Sequence, residues 1–282
     1  MSDLARVHAV LASGVEHPRL LEQWRQQPAT LRALGIEPAT LDLDALGKFA
    51  GLSVKVRHNP LRPMMPLTFR LMGVTAIEIE MFSAYAAFRS QRGLRYAASV
   101  PARARDLIEF LGGWLDVDNL THVLLWDAIR YEDAVARLGA WYASGARNVD
   151  PAINPSINPS AVDSAGLPTA PRARGDLLLH ELQSDPRALA DALHASVPDL
   201  NQVPLQPQYR CFWRAPEGAD AAVVVLDAFG YYLLSLLDGR RSIAALARRL
   251  GGGRGTTRAV RDALQTFATL GIIERPHPLG AR

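Results

Sequence analysis

Apolar residues recur at helical spacing through the first half of the chain. In PRLLEQWRQQ, Leu20, Leu21 and Trp24 share one side and Pro18 stands at a first-turn position. In EPATLDLDALGKFAGL the face is Leu41, Ala45, Leu46 and Phe49. TAIEIEMFSAYAAFRSQRG places Ile77, Met81, Tyr85 and Phe88 at i, i+4, i+8 and i+11. VPARARDLIEFLGGWL carries Leu107, Phe110, Leu111 and Trp114. The long run DNLTHVLLWDAIRYEDAVARLGAWYASG keeps Leu120, Val123, Leu124, Ile129 and Val135 mostly on one stripe. Stripes of this width are core faces, and they predict a bundle of five or six helices.

The pattern changes after residue 146. RNVDPAINPSINPSAVDSAGLPTAPRARG is rich in Pro, Asn, Ser and Ala, and INPS occurs twice. Repeated Pro blocks helices and little apolar material is present to bury, so this stretch reads as a linker or functional loop. The predicted division is a helical domain over 1–146, a linker over 147–174 and a second domain over 175–282. In the second domain GDLLLHEL, PQYRCFWRA and DAAVVVLD read as strands, the last with three consecutive valines. A helix is predicted at SDPRALADALHAS, capped by Ser184 or Asp185 with Pro186 in its first turn. Three more helices follow. FGYYLLSLLDG stops at Gly239, SIAALARRLGGG starts at the cap Ser242, and TTRAVRDALQTFATLG starts at Thr256 or Thr257 and stops at Gly271. GIIERP closes the pattern as a short strand or wing. The fold class is therefore α+β: an N-terminal helical bundle and a C-terminal winged helix-turn-helix-like domain with a small antiparallel sheet.

Composition narrows the function. The 282 residues are 49% hydrophobic, with no apolar run of membrane-spanning length. The N-terminal residues lack the charged-then-apolar build of a signal peptide, so a cytoplasmic location is expected, away from membranes. The single cysteine, Cys211, makes neither an intrachain disulfide nor a thiolate metal cluster. Net charge is +3, and the only lysines are Lys48 and Lys55.

Catalytic constellations do not emerge. The seven histidines show no tight metal spacing. His122, beside Trp126 and Asp127, reads as a hydrogen-bonded structural residue. Glu78 and Glu80 fall about 200° apart on a helix and diverge, which reads as a solvated face plus one salt bridge. Cys211, among Tyr209, Phe212 and Trp213, reads as a core thiol. GGGRG, residues 251–255, lacks the preceding strand and following Lys of a phosphate loop and reads as a turn. NPLRPMMPLTFRLM is either a buried entry to a helix starting at Pro66 or a contact surface. In the second case Met64, Met65 and Arg70 are the docking residues.

The third C-terminal helix bears on whether this domain binds DNA. Val260, Leu264 and Phe267 form an apolar face, extended by Ala263, and Arg258, Arg261, Asp262 and Gln265 lie outward. A DNA reader needs basic or amide side chains at the start of this helix and a basic surround. Residues 171–282 hold 14 arginines against 11 acidic residues, a net of only +3. Nucleic acid is thus the weaker reading, although Arg240, Arg241, Arg248 and Arg249 could touch phosphate. The alternative to be tested is a DNA-binding regulator with a helical sensor domain. If AVVVL is an edge strand, its free N–H and C=O groups can instead pair with an added peptide strand.

LLSLLDGRRSIAALARRL, with VRDALQTFATLGIIE, resembles the PqqD-like peptide-recognition domains of ribosomal peptide-modification pathways. PLTFRLMGVTAIEIEMFSAYAAF, DAIRYEDAVARL and PQYRCFWRAP look like the partner subunits of multinuclear non-haem iron oxidative enzymes, including those of the methanobactin and 3-thiaglutamate pathways. The resemblance extends over roughly residues 20–275. It implies a non-catalytic subunit whose helical domain docks on a TIM-barrel iron-dependent oxidase and whose C-terminal module captures the leader of a precursor peptide. It implies that iron belongs to the partner enzyme, leaving this chain without a cofactor. The leader would lie along Val223, Val224, Val225 and Leu226 and face Arg258, Arg261, Leu264 and Phe267.

Overall fold

The computed structural model describes residues 3–95, 97, 99–139, 167–214 and 221–274. The described residues form the mixed helix-and-sheet fold expected, with the sheet confined to the C-terminal half. The chain divides into two units that are not contiguous in sequence. The first holds residues 1–129 and 189–202, and the second holds 130–188 and 203–282. The first division falls after residue 129, within a helix, where the sequence pattern suggested a boundary at 146. Among the described residues no single helix is long and apolar enough to cross a membrane.

The first unit is built on α1 (Asp3–Glu16), α2 (Arg19–Gln26), α3 (Ala29–Ala33), α4 (Leu43–His58), α5 (Pro66–Val74), α6 (Glu78–Gln91), α7 (Val100–Trp114) and the first part of α8 (Leu120–Leu138). This exceeds the five or six helices expected, because α1 and the five-residue α3 lie in stretches where no helix was expected. Each start has a local cause. Asp42 accepts from the amides of Asp44 and Ala45 at α4, Ser99 accepts from Ala102 at α7, and Pro66 opens α5. Val10, Leu21, Trp24, Leu31 and Ile36 make one apolar cluster. Around α6, the rings of His58, Phe82, Tyr85 and Phe110 pack at centroid separations of 5.0–5.6 Å.

α4 and α6 approach closely at Gly51. A Cβ there would lie 2.6 Å from the Ser83 backbone nitrogen and 2.8 Å from its Cα. Gly51→Ala would gain up to about 1 kcal/mol of helix propensity. Overpacking against backbone costs about 1–3 kcal/mol, and backbone has no rotamer to yield. Gly51→Ala is therefore expected to lower the urea midpoint. Gly47→Ala in the same helix meets nothing nearer than 3.9 Å and should leave it equal or higher.

The second unit contains β1 (Leu178–Ser184), β2 (Leu205–Arg214) and β3 (Ala221–Leu226), antiparallel in the order β1-β2-β3. The helix between β1 and β2 is α9 (Pro186–His194), whose residues from Leu189 belong to the first unit. Both faces of the sheet are covered. On one, Phe212 packs with Ala134 and Leu138 of α8, joined by Tyr131, Leu178, Ala221 and Val223. On the other, Cys211 and Trp213 pack with α10 (Ala228–Ser235), α11 (Ile243–Arg249) and α12 (Arg254–Thr269). Asp227 caps α10 and Ser242 caps α11. α12 begins at Arg254, two residues before the expected Thr256, because Gly251, Gly252 and Gly253 all take positive φ and complete the turn early.

The end of the expected linker belongs to this unit. Leu167 is buried in the cluster around α10–α12. The Ala173 amide donates to the Leu237 carbonyl, Arg174 donates to Ile272, and Glu274 donates back to Arg172. These contacts join residues 167–174 of the expected linker to the second unit, and its residues 147–166 lie outside the described residues. Among the described residues, the closing GII segment, expected as a short strand or wing, makes an isolated bridge from Ile273 to Ala173.

Candidate functional site: an open sheet edge

β3 is an outer strand, hydrogen-bonded on one side to β2. In an antiparallel ladder, about half of an outer strand's peptide groups point away from its neighbour. Among the described residues, no backbone hydrogen bond reaches Ala221–Leu226 from outside the sheet. The opposite edge differs. The Glu181 carbonyl of β1 accepts from Arg130 at 2.9 Å, and the pairing shifts register between Leu182 and Ser184.

Cross-strand register assigns the side chains of β3. Val223 pairs with Phe212 and Val225 with Arg210, on the α8 face. Val224 pairs with Cys211 and Leu226 with Tyr209, on the face toward α10–α12. Val225 is 55% exposed, whereas its three neighbours are half-buried. Beside it, Arg210 is buried and held by Asp185 and Gln208 at 2.8 and 2.7 Å.

The four residues expected on α12 separate. Leu264 and Phe267 are buried core, so they support Val224 and Leu226 from beneath instead of lining an open groove. Arg258 and Arg261 are exposed. At 3.6 residues per turn, Arg258 lies about 160° from Val260, on the far side of the helix from the core, and Arg261 about 100°. Arg258 faces Asp262 at 3.8 Å, and both are strongly exposed. Arg261 thus lies on a flank of α12, with Arg258 turned away from the core.

Sequence reasoning missed the aromatic group at the end of β3. Tyr209 stacks on Tyr231 at 4.6 Å, and Tyr231 meets Tyr232 at 5.9 Å. Tyr232 is 57% exposed. The adjacent tyrosines in FGYYLL are the visible signal, but only the register that sets Tyr209 beside Leu226 gives them a place.

Met65 is fully buried and Met64 nearly so, which corrects their reading as a docking surface: both lie just before α5. Arg70 is exposed and donates from Nε to the Leu193 carbonyl at the end of α9. Glu78 is buried between Lys55, at 2.7 Å, and Arg62, two ion pairs where one was expected, while Glu80 is exposed. His122 accepts from the Asp116 amide through Nδ1 and packs on Trp114. Burial, and then the Asp176 carboxylate, push the Cys211 thiol up to about 12, so it stays protonated and unreactive. His180 is held down at about 4 by burial and then by Arg130 and Arg137. Among the described residues no group of three His, Cys, Asp or Glu side chains gathers to hold a metal ion. Compared with known proteins, the chain matches no family model, and no curated protein matches it.

Proposed function

We propose that this chain is a non-catalytic accessory subunit that takes the leader of a ribosomal precursor peptide onto β3 and presents the peptide to a TIM-barrel multinuclear iron oxidase. The observation that carries this reading is the outer edge of β3, which no backbone hydrogen bond from outside the sheet reaches among the described residues, in a sheet whose two faces are already packed. An extended peptide would continue the sheet through main-chain hydrogen bonds, which supply affinity without demanding a particular sequence. Its alternate side chains would meet Val225 on one face and the Leu226–Tyr232 neighbourhood on the other, which supplies selectivity. Tethering the leader raises the effective concentration of the rest of the peptide at the enzyme. The resemblance of residues 233–274 to peptide-recognition domains supports the same reading. No residue of this chain is given a catalytic role, and iron is assigned to the partner.

The reading is tested with the cognate oxidase and its precursor. Modification of the peptide should depend on this chain, and equal turnover without it would end the proposal. Val225→Lys, a charge on an exposed edge position, should leave the unfolding midpoint unchanged. It should weaken binding of labelled precursor peptide by about tenfold or more in fluorescence anisotropy. A salt-dependent shift of promoter DNA, lost on changing Arg258 and Arg261, would establish the regulator reading instead.

A further inference from the structure

The first unit carries a surface of its own. α4 has two apolar rows. Ala50, Val54 and His58 face inward and are buried. Phe49, Leu52 and Val56, at i, i+3 and i+7, are 58%, 41% and 57% exposed. The expected inward place of Phe49 is thereby corrected, and the spacing of this outer row is that of a helix with a helical partner. Beside it a groove of about 910 Å³ is lined by α1, α4 and the end of α6. Leu11, Val15, Leu46 and Leu94 contribute its apolar walls, and Leu94 is 43% exposed.

The charges around the groove are one-sided. Arg57, Arg89 and Arg95 line it against a single acidic residue, Glu16. Arg89 is buried and fixed by the Tyr85 hydroxyl, the Leu94 carbonyl and Asp106. Arg95 is exposed, and the exposed Lys48 lies one residue from Phe49. An apolar seam flanked by cations complements a helix with an apolar face and acidic borders.

We propose that the outer row of α4 and its groove seat an amphipathic helix of a partner protein, apolar on one face and bordered by Asp and Glu. Apolar anchors at i, i+3 or i+4, and i+7 would pack along Phe49, Leu52 and Val56, and the acidic border would face Arg57 and Arg95. The surface stands whether or not β3 captures a peptide, since none of its residues lies in the sheet.

The test uses the full chain and two labelled model helices of roughly 18 residues, about five turns. Both carry the same leucine seam, one bordered by Glu and the other by Lys. The Glu peptide should bind, and the Lys peptide should bind roughly tenfold more weakly or worse. Phe49→Asp should weaken the Glu peptide by about tenfold. Arg57→Glu with Arg95→Glu should reverse the preference between the peptides, which decides the matter even if Phe49→Asp fails to fold. Equal binding of the two peptides, or binding indifferent to both variants, would overturn the proposal. So would a wild-type dimer in sedimentation equilibrium that Phe49→Asp converts to monomer, because a second copy would then be the occupant.

Discussion

Lowering the pH from 7 to 4 is expected to cost the first unit about 3 kcal/mol through His58 alone. The ring is fully buried between Phe82 and Tyr85, and its Nδ1 lies 2.8 Å from the Val54 carbonyl. Burial holds it at about 4, against an ordinary 6.5, aided by Arg89 and Arg103 and opposed by the Val54 bond and Asp106. The folded-state value is the lower one, so the unfolded chain takes up the proton first as pH falls. This contribution is whole above about 6.5, falls away between 6.5 and 4, and is gone below. Urea denaturation at pH 7, 5.5 and 4 measures it. His58→Phe keeps a ring at this position but cannot titrate, and its stability should fall less steeply over the same range. Parallel pH profiles for the two proteins would refute the assignment.

The second large effect separates scaffold from surface on α12. Leu264→Ala empties a fully buried position between Val260 and Phe267, and removal of a core leucine costs about 2–5 kcal/mol. Arg258→Ala and Arg261→Ala change exposed side chains, for which shifts within about 0.5 kcal/mol are ordinary. Urea denaturation of the three variants reads all of them. If Leu264→Ala left the midpoint in place, the burial of α12 described above would be wrong. At concentrations where Leu264→Ala remains folded, its loss of peptide binding should be small compared with that of Val225→Lys.

The second unit was the more legible part of the chain. Three valines in a row and the cap Ser242 are local signals, and β3 and α11 fall where these signals lie, whereas α10 ends at Ser235, before the expected stop at Gly239. The edge position of β3 was conditional in sequence, because strand order depends on pairings that no local window contains. α4 shows another limit. Its two apolar rows both satisfy helical periodicity, and what selects the Ala50–Val54 row is the close approach that Gly51 permits to α6. Met64 and Met65 lie among prolines, where composition cannot distinguish a surface from a buried turn. Glu78 was read by its angle to Glu80, but its surroundings are set by Lys55 and Arg62 from other elements. Residues 167–174 look unstructured locally because their partners, Leu237 and Ile272, are distant in sequence.

Those distant partners also fix an order of events during synthesis. The amide of Ala173 waits for the carbonyl of Leu237, and that of Arg174 for Ile272, with Glu274 closing back on Arg172. Contacts so widely separated in sequence close late, and a chain emerging N-terminus first makes its C-terminal residues last. The second unit therefore remains unfinished on the ribosome until residue 274 has cleared the exit. Until then, the apolar groups that surround Leu167 have no completed core to enter. A nascent chain stalled before Ile272 should accordingly be cut by protease between β1 and α12, and one released after Glu274 should resist.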